Sequence, residues 1–352
     1  MTTIMMTGAG APGMPGILKC MSSKRSGIRL IGADADANAP SRKDFDRFHQ
    51  IPMAKDPGFV SAILGICEAE KVDLLVPVVT RELAVLAANR EAFEEQGTRI
   101  AVMDNDKLTI ANNKGRLFNA LEANGIRTAP YKLARTVAEV EEAIDAIGKG
   151  NRGVVVKPVE GNGSRGVRII DRERSAFDAY FSSKPDGLYT SKEELIRTLS
   201  EKAPFPVELM VMKLLPGKEY SVDIVAMKGR VQAAVCRVGL TVVSSNQTSS
   251  VIVDEPKVLE MCEKVVRALG LSGNIGFDLK EDEDGEVYIL EINPRLTGGI
   301  VTCLAAGANM PWLGIQSWLG EEVQQPKLTY GVKMQRYWNE SFFDAEDNEM
   351  QL

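Results

Sequence analysis

Two acidic strands near the carboxyl end of the chain carry the side chains best suited to chemistry. Residues 287–293 read as an apolar strand that ends in Glu291, Ile292 and Asn293, and the strand before it carries Asp278. Because strand side chains alternate between two faces, Glu291 and Asn293 point the same way. Mg²⁺ prefers hard oxygen ligands and usually arrives with nucleotide phosphates. Asp278, Glu291 and Asn293 therefore predict the metal half of a nucleotide site.

A lysine and a glycine-rich loop further upstream predict the phosphate half. An apolar strand delivers Lys157, and the loop after it contains Gly161, Gly163 and Gly166. Backbone N–H groups of such a loop can close over phosphate oxygens. A Walker P-loop would need a Gly-Lys-Ser/Thr ending followed by a helix, whereas here the lysine precedes the glycines and a strand follows at residues 166–170. The pattern therefore argues against a P-loop kinase or GTPase.

Four motifs in this order resemble the ATP-grasp carboxylate–amine ligases, and among them a single module of the carbamoyl-phosphate synthetase large chain. They are the glycine-rich start, residues 113–114 before residues 125–130, the Lys157 loop, and residues 276–278 with 291–295. The resemblance covers residues 1–330. It implies an α/β and α+β chain, in which a doubly wound, Rossmann-like pre-ATP-grasp domain precedes an ATP-grasp fold with a small lid.

The resemblance also implies which residues bind ATP. Lys114 and Lys157 contact the phosphates, and the loop covers them with Gly161, Gly163 and Ser164. Glu219 takes the ribose hydroxyls. Main-chain atoms contact adenine from Met212, Lys213 and Leu214. Relatives usually have a glutamate where Lys213 stands, so contacts from that side chain are in doubt.

For catalysis, the resemblance implies one or two Mg²⁺ ions, with Mn²⁺ as an alternative, held by Asp278, Glu291 and Asn293 and bridged by Glu291. The catalytic residues implied are Lys157, Arg295 and Arg237. Two roles stay open for Arg237. It either binds the carboxylate or acyl phosphate of the substrate, or it forms an ion pair on the surface. The reaction implied is attack of a carboxylate on the γ-phosphate, followed by displacement of phosphate by an amine.

Residues 1–105 alternate short apolar strands with helical stretches, which predicts a parallel, doubly wound sheet. The turn at residues 8–16, with Asp34 ending the second strand, is also typical of a dinucleotide-binding unit, so a dehydrogenase is a rival reading. Prolines crowd this turn, and no nicotinamide-enzyme base follows. Glu82 follows the third strand, where open sheets bind ligands. It either contacts an amine or favours a helix N-terminus.

The remaining elements predict a division into residues 1–105, a linker helix and lid at 106–208, a metal-bearing subdomain at 209–335, and an acidic tail at 336–352, disordered from Glu340. One helix is expected from Asp106 to Asn124, and two helices elaborate the lid within residues 171–206. The acidic run at residues 281–285 reads as a hairpin turn rather than a calcium loop. Residues 244–250 read as a mobile loop or a surface hairpin.

Composition and charge argue against several classes of protein. The chain has 352 residues and a net charge of −6, which argues against a nucleic-acid binder. No stretch approaches the length of a membrane span, so a cytoplasmic protein is expected. Five scattered cysteines predict buried reduced thiols, and the single histidine, His49, reads as a solvated loop residue. The groups that remain for catalysis are lysine, arginine, carboxylates and magnesium, which suit phosphoryl transfer.

Three functions stay open. The first is a free-standing amino-acid or dipeptide ligase acting on small-molecule carboxylates and amines. The second is a module that makes carbamoyl phosphate or carboxyphosphate with a partner chain. The third is a nucleotide-binding regulator without turnover. A helix over residues 312–318 is a candidate homodimer interface.

Overall fold

The computed structural model describes residues 1–161, 163–175, 177, 180–181, 187–202, 204–243, 246–337, 342–344 and 349–350. Three larger sheets organise these residues, and helices cover them. The predicted fold class is confirmed: a doubly wound domain precedes an ATP-grasp-type pair of antiparallel sheets.

The amino-terminal sheet has five parallel strands in the order β3-β2-β1-β4-β5. Its strands are β1 Thr2–Thr7, β2 Ile28–Asp34, β3 Arg47–Gln50, β4 Leu74–Pro77 and β5 Arg99–Ile100. The helices around it are α1 Met14–Met21, α2 Phe59–Glu70, α3 Thr80–Ala88 and α4 Arg90–Glu95. The strand order reverses between β1 and β4, and the carboxyl ends of such a pair form the crevice where open α/β sheets bind ligands.

His49 lies on β3, so the prediction of a solvated loop histidine is wrong. Its backbone pairs with Ala33 of β2, and its ring nitrogen lies 2.9 Å from Glu70. The short strand escaped prediction because its burial is partial and it ends in polar residues. All five cysteines are buried and unpaired in disulfides, as predicted.

Two helices replace the single helix predicted for residues 106–124. They are α5 Asn105–Ala111 and α6 Lys114–Ala123. The break lies at Asn113, which has an extended backbone and whose side chain accepts a hydrogen bond from the N–H of Arg116. The N–H of Lys114 then donates to the carbonyl of Val159 at 2.9 Å. An asparagine N-cap thus restarts the helix at the lysine expected to contact phosphate.

The lid is a four-stranded antiparallel sheet in the order β6-β9-β7-β8. Its strands are β6 Tyr131–Ala134, β7 Gly153–Pro158, β8 Arg168–Asp171 and β9 Leu209–Lys213, and its helices are α7 Val137–Gly148 and α8 Lys192–Ser200. Thr136 and Glu139 form a capping box at the start of α7. The strand β9 pairs with β6 and β7, so it belongs to the lid sheet. The lid therefore extends beyond residue 208, where the sequence predicts its boundary.

The carboxyl-terminal sheet has six antiparallel strands in the order β14-β13-β10-β11-β12-β15. These are β10 Glu219–Met227, β11 Arg230–Val243, β12 Asn246–Val253, β13 Gly273–Glu281, β14 Val287–Asn293 and β15 Lys333–Gln335; the helices are α9 Pro256–Leu269, α10 Val301–Ala305 and α11 Met310–Leu319. The acidic run forms the predicted hairpin turn, since Asp282 accepts from the N–H groups of Asp284 and Glu286 at 3.0 Å.

Some predictions fall partly outside the described residues. Residues 244 and 245 of the polar run do so, as does much of the region of the first predicted lid helix. The tail was predicted to be disordered, but within it the strands β16 Phe342–Phe343 and β17 Glu349–Met350 pair with each other. Where the tail is described, two short segments with a phenylalanine pair therefore form a hairpin.

Over the described part of the chain, no helix combines the length and the apolar composition needed to cross a membrane.

Substitutions at two helical glycines test the packing of α2 and α11. A Cβ at exposed Gly65 in α2 would have no neighbour within 4 Å, whereas a Cβ at Gly314 in α11 would lie 1.9 Å from the side chain of Asn274. We expect Gly65→Ala to raise the free energy of unfolding by about 0.5–1 kcal/mol and Gly314→Ala to lower it by about 1–3 kcal/mol. Urea denaturation measures both, and equal effects would contradict the packing.

Candidate functional site

The three predicted metal ligands converge on one face of the carboxyl-terminal sheet. Asp278 on β13 is the cross-strand partner of Glu291 on β14. The amide nitrogen of Asn293 donates to Asp278 at 3.0 Å and approaches Glu291 at 3.4 Å. The alternation predicted from the sequence is therefore correct, and two carboxylates and one amide share a small volume.

This donor set fits a magnesium ion better than a protein-caged metal. Within the described ranges, no three His, Cys, Asp or Glu side chains gather as a metal site. Mg²⁺ is commonly held by one or two carboxylates, with water and phosphate oxygens completing its shell. A half turn of the Asn293 amide would present its oxygen instead of its nitrogen. Asp278, Glu291 and Asn293 are thus the residues that could hold Mg²⁺ beside a nucleotide.

Two lysines from other elements meet these acids. The ammonium group of Lys114, the first residue of α6, lies 2.9 Å from a carboxylate oxygen of Glu291. Lys157 near the end of β7 is buried, and its pKa falls to about 8 because of burial and then because of the charge of Lys114; Glu291 and Asp278 oppose this fall. The predicted phosphate cations and the predicted metal acids therefore form one cluster.

The two acids respond differently to this cluster. Burial and the charge of Glu291 raise the pKa of Asp278. Burial also opposes ionisation of Glu291, but Lys114 and Lys157 outweigh it and lower its pKa. Without nucleotide, Glu291 is consequently the ionised partner of Lys114. The carboxylate oxygen of Glu291 that faces Lys114 is then already paired, and a metal ion would compete with the lysine for it.

The glycine-rich loop connects to the same cluster. Gly163 and Gly166 have φ angles of +65° and +79°, and Ser164 has +54°. A Cβ at Gly166 would lie 2.8 Å from the ring of Pro158, so only glycine fits where the loop folds back. The ammonium group of Lys114 lies 3.4 Å from the carbonyl of Gly161. The loop thus lies beside the lysines, while Asn162 lies outside the described residues.

The predicted adenine contacts stay a prediction. The N–H of Lys213 donates to the carbonyl of Pro130 at 2.9 Å, and that of Leu214 donates to Gly153 at 3.0 Å. Neither N–H group could contact adenine unless it changed partner. Met212 is buried in the centre of the lid sheet.

The side chain of Lys213 has its own partners. Its ammonium group lies 2.9 Å from Glu283 and 3.4 Å from Asp282, both in the acidic hairpin turn. This lysine therefore ties the lid strand β9 to the carboxyl-terminal sheet. Glu219, the predicted ribose ligand, begins β10 and lies 3.9 Å from Lys280. Its position two residues before Ser221 puts it on the face that carries Asp278.

Arg295 links the metal cluster to the amino-terminal domain. Its Nε donates to the hydroxyl of Thr80 at 2.9 Å, at the start of α3, and one terminal nitrogen donates to the carbonyl of Leu296 at 2.8 Å. Burial lowers the pKa of the guanidinium, and the nearby acids Asp278 and Glu291 oppose this. Arg295 therefore lies where the phosphate site and the first domain meet.

Arg237 lies inside the protein, so its reading as a surface ion pair is wrong. Its guanidinium forms a buried salt bridge with Asp223 on β10 and donates to the hydroxyl of Thr297 at 3.2 Å. A Cβ at Gly299 would lie 2.9 Å from its central carbon. Arg237 therefore lies directly beneath the loop that follows Arg295. Asp223 gave no sequence signal, because its strand reads as an ordinary apolar strand.

A second polar site lies at the carboxyl ends of β1 and β4. Glu82 is buried, and the hydroxyl of Thr7 donates to its carboxylate. Burial raises the pKa of Glu82 to about 7 against the effect of this hydrogen bond, and the charge of Asp34 adds to the rise. Asp34 itself accepts from the N–H of Gly10 at 2.7 Å. Since a dinucleotide-binding unit would use this acid for the ribose, its bond to the turn weighs against the dehydrogenase reading.

Comparisons with known proteins agree with this geometry. A family model described as "PylC-like, N-terminal domain" matches residues 4–101, and one described as "ATP-grasp in the biosynthetic pathway with Ter operon" matches residues 205–339. A formate-dependent phosphoribosylglycinamide formyltransferase of Methanococcus maripaludis is 28% identical over 296 residues, which is 83% of this chain and 69% of the relative.

Solved structures share the fold. The biotin carboxylase domain of a Hydrogenobacter thermophilus 2-oxoglutarate carboxylase, in complex with MgADP, ADP and bicarbonate, has a TM-score of 0.69 at 16% identity, covering 94% of this chain and 73% of that one. An L-amino acid ligase from Bacillus licheniformis has a TM-score of 0.65 at 16% identity, covering 93% and 75%. At this identity the likeness shows the fold alone. The finer resemblance to a carbamoyl-phosphate synthetase module stays a prediction.

Residues 205–339 match an ATP-grasp family model, the chain shares its fold with ATP-grasp enzymes, and with the cluster of lysines and acids these findings support an ATP-dependent ligase.

Proposed function

We propose that the protein activates a small carboxylate with ATP as an acyl phosphate and joins it to an amine, releasing ADP and phosphate. The observation that carries the proposal is the 2.9 Å contact between Lys114 and Glu291, with Lys157 beside it. Two phosphate cations and a metal acid meet there although they come from a linker helix, the lid and the last sheet. Such a cluster suits a metal–nucleotide complex, in which the phosphates take the lysines and the metal takes the acids.

The chain's own residues supply positioning and charge. Lys114 and Lys157 neutralise phosphate oxygens once Lys114 has left Glu291, and Arg295 approaches from the side of the first domain. Mg²⁺ bound at Asp278, Glu291 and Asn293 would stabilise the charge that spreads over the transferring phosphoryl oxygens. The lid sheet and its glycine loop exclude water, which would otherwise hydrolyse the acyl phosphate.

The two steps balance without another reactant. A carboxylate oxygen of the substrate attacks the γ-phosphorus, the bond to the bridging β,γ-oxygen breaks, and ADP leaves. The amine nitrogen then attacks the activated carbonyl carbon, phosphate leaves, and the nitrogen loses a proton. Arg237, beneath Gly299, lies on the same sheet face as Asp278 and is our candidate for the carboxylate and acyl phosphate.

Glu82 is our candidate for the amine. It lies in the crevice at the carboxyl ends of β1 and β4, and a carboxyl group with a pKa of about 7 is suited to accept a proton near neutral pH. Gly13 of the first domain faces Gly298 of the last. A Cβ added at Gly13 would lie 3.1 Å from the Cα of Gly298. This close approach supports transfer between the two subsites.

An amino acid is our first choice for the substrate, and formate and bicarbonate are tested beside it because the names of relatives and structural neighbours refer to all three. The test supplies ATP and Mg²⁺ with pooled L-amino acids, and separately with formate or bicarbonate plus an amine pool. Release of ADP and phosphate that depends on the carboxylate supports the ligase. AMP with pyrophosphate, or tight ATP binding without turnover, would contradict it.

Replacing the metal acid should separate folding from turnover. We expect Glu291→Gln to lower kcat on the order of a hundredfold or more, because it removes a charge that holds the metal at the transferring phosphoryl group. Glu286→Gln changes an exposed acid just before the same strand, β14, and serves as the control. ADP formation and thermal melting measure the outcome. Full activity of folded Glu291→Gln would remove the metal assignment.

Glu82 should make stability depend on pH. Folding raises its pKa from the ordinary value of a glutamate to about 7, so the folded state binds the proton more tightly and stability falls as the pH rises between these two values. Glu82→Gln removes the cost of ionising a buried carboxyl group. The stability of the variant relative to the wild type should therefore increase from pH 5 to pH 8, by up to about 3 kcal/mol. Urea denaturation at both pH values measures the difference; a gain that is independent of pH would contradict the buried acid.

A further inference from the structure

The hairpin that carries the metal acids has a second set of acids in its turn. Its strands β13 and β14 hold Asp278 and Glu291, and the acidic turn between them consists of residues 282–286. Asp282 lies four residues after Asp278, which is about 13 Å along a strand. The lid therefore meets this hairpin at two separate places, the metal acids and the acidic turn.

The contact at the acidic turn is largely buried. The side chains of Lys213 and Asp282 are 12% and 4% exposed, and their ammonium and carboxylate groups lie 3.4 Å apart. Glu283 lies closer to the ammonium group, at 2.9 Å, but it is 45% exposed. Burial opposes the charge on Lys213, but the two acids outweigh it and raise the pKa of the lysine. Lys213 therefore stays charged, and without it Asp282 would be left buried and unpaired.

The turn holds Asp282 in place for this contact. Its carboxylate accepts hydrogen bonds from the N–H groups of Asp284 and Glu286 at 3.0 Å. Burial opposes ionisation of Asp282, but these N–H groups and the charge of Lys213 outweigh it and lower its pKa. Lys213, Asp282 and Glu283 thus form a clamp, in which a charged lysine of the lid binds a pre-oriented acid of the hairpin.

The clamp lies where the chain enters and leaves the lid. β9 ends at Lys213, and the chain then continues into β10 at Glu219. The N–H of Lys213 donates to the carbonyl of Pro130 at 2.9 Å, one residue before the first lid strand, β6. The two connections between the lid and the rest of the protein therefore lie side by side. Because hinge motions are absorbed by a few residues at such connections, the clamp lies at the pivot of the lid.

Strand pairing links the clamp to the phosphate lysine. Lys213 is the cross-strand partner of Val154 on β7, three residues before Lys157. Lys157 in turn pairs with Met210 on the same strand as Lys213. A shift of β9 against the acidic turn would therefore move Lys157 relative to the metal acids.

A second cation reaches the same turn from the other connection, but its contact is exposed. Arg127 lies just before β6, and its guanidinium lies 3.4 Å from Glu286 and 5.2 Å from the ring centre of Tyr288. Both members of the ion pair are mostly exposed, and such pairs contribute little because solvent screens them. Arg127 is therefore a matched control for Lys213, since its loss removes a cation from the turn without leaving a buried acid.

We propose that Lys213 is a positioning residue, whose clamp on the acidic turn fixes the pivot of the lid so that Lys157 reaches the phosphates beside the metal acids. The inference rests on the proposed function, because it requires that the cluster around Glu291 binds a metal–nucleotide complex. Lys213 acts through its side chain, whereas the adenine contacts predicted for this segment come from main-chain atoms. A lid that is already aligned loses less freedom when the nucleotide binds, which strengthens binding.

The test measures the affinity of the protein for two ligands in the presence of Mg²⁺. A nonhydrolysable ATP analogue is titrated by calorimetry, and inorganic tripolyphosphate, which has the phosphates but no base, is measured by its competition with the analogue. We expect Lys213→Met to weaken both ligands at least about fivefold, the lower end of the usual coupling between two sites. Lys213→Arg keeps the charge and should recover most of the affinity. Arg127→Met should bind both ligands as the wild type does.

A second variant covers the case in which Lys213→Met does not fold, as its melting temperature will show. Glu283→Lys places a like charge beside Lys213 at a partly exposed position and leaves Asp282 paired. Glu286→Lys makes the same change of charge at an exposed position of the same turn and serves as its control. Glu283→Lys should bind tripolyphosphate more weakly than Glu286→Lys does. Equal affinities of these two variants would overturn the clamp.

The remaining outcomes separate this inference from the proposed function. Wild-type affinities in folded Lys213→Met would overturn the clamp and leave the ligase chemistry intact. Weaker binding of the analogue alone would also overturn it, because the side chain of Lys213 would then contact the base. Failure of the wild type to bind the analogue, or of tripolyphosphate to compete with it, would overturn the phosphate cluster and with it the proposed function.

Discussion

The protein depends on one balance of charge, in which two lysines meet two carboxylates in a buried site. Lys114 comes from the linker helix, Lys157 from the lid, and Asp278 and Glu291 from the last sheet. Buried charges are tolerated only when they are paired, so without nucleotide these groups neutralise one another. A metal ion alone would leave the lysines unpaired, and free phosphates alone would leave the acids unpaired. The account therefore requires nucleotide and metal to bind together.

The surrounding domains place this cluster beside the two proposed substrate sites. Arg295 bridges from the metal strand to Thr80 of the first domain at 2.9 Å, and the loop after it packs against the first glycine turn. Glu82 lies two residues after Thr80 in α3, and Arg237 lies beneath Gly299 of the loop. The lid is joined to the sheet through Lys213 and the acidic turn, 2.9 Å from Glu283. Activation of one substrate and attack by the other can thus take place across a single loop.

Sequence periodicity predicted what depends on local geometry. The shared face of Glu291 and Asn293 follows from two residues that are close together in one strand. It missed what depends on contacts through space. Asp223 occupies an apolar strand, and only the fold reveals its pairing with Arg237. The N–H of Lys114, just after the helix break, bonds to the carbonyl of Val159, and neither residue signals the other in the sequence.

Calorimetric titration of a nonhydrolysable ATP analogue into the wild-type protein, with Mg²⁺ and with EDTA, tests the charge balance most directly. The account predicts that Mg²⁺ tightens nucleotide binding by at least about tenfold, within the usual range of coupling between sites. It also predicts that Mg²⁺ without nucleotide binds weakly, since Lys114 already occupies Glu291. Equal nucleotide affinity in both buffers, or tight binding of Mg²⁺ alone, would contradict it.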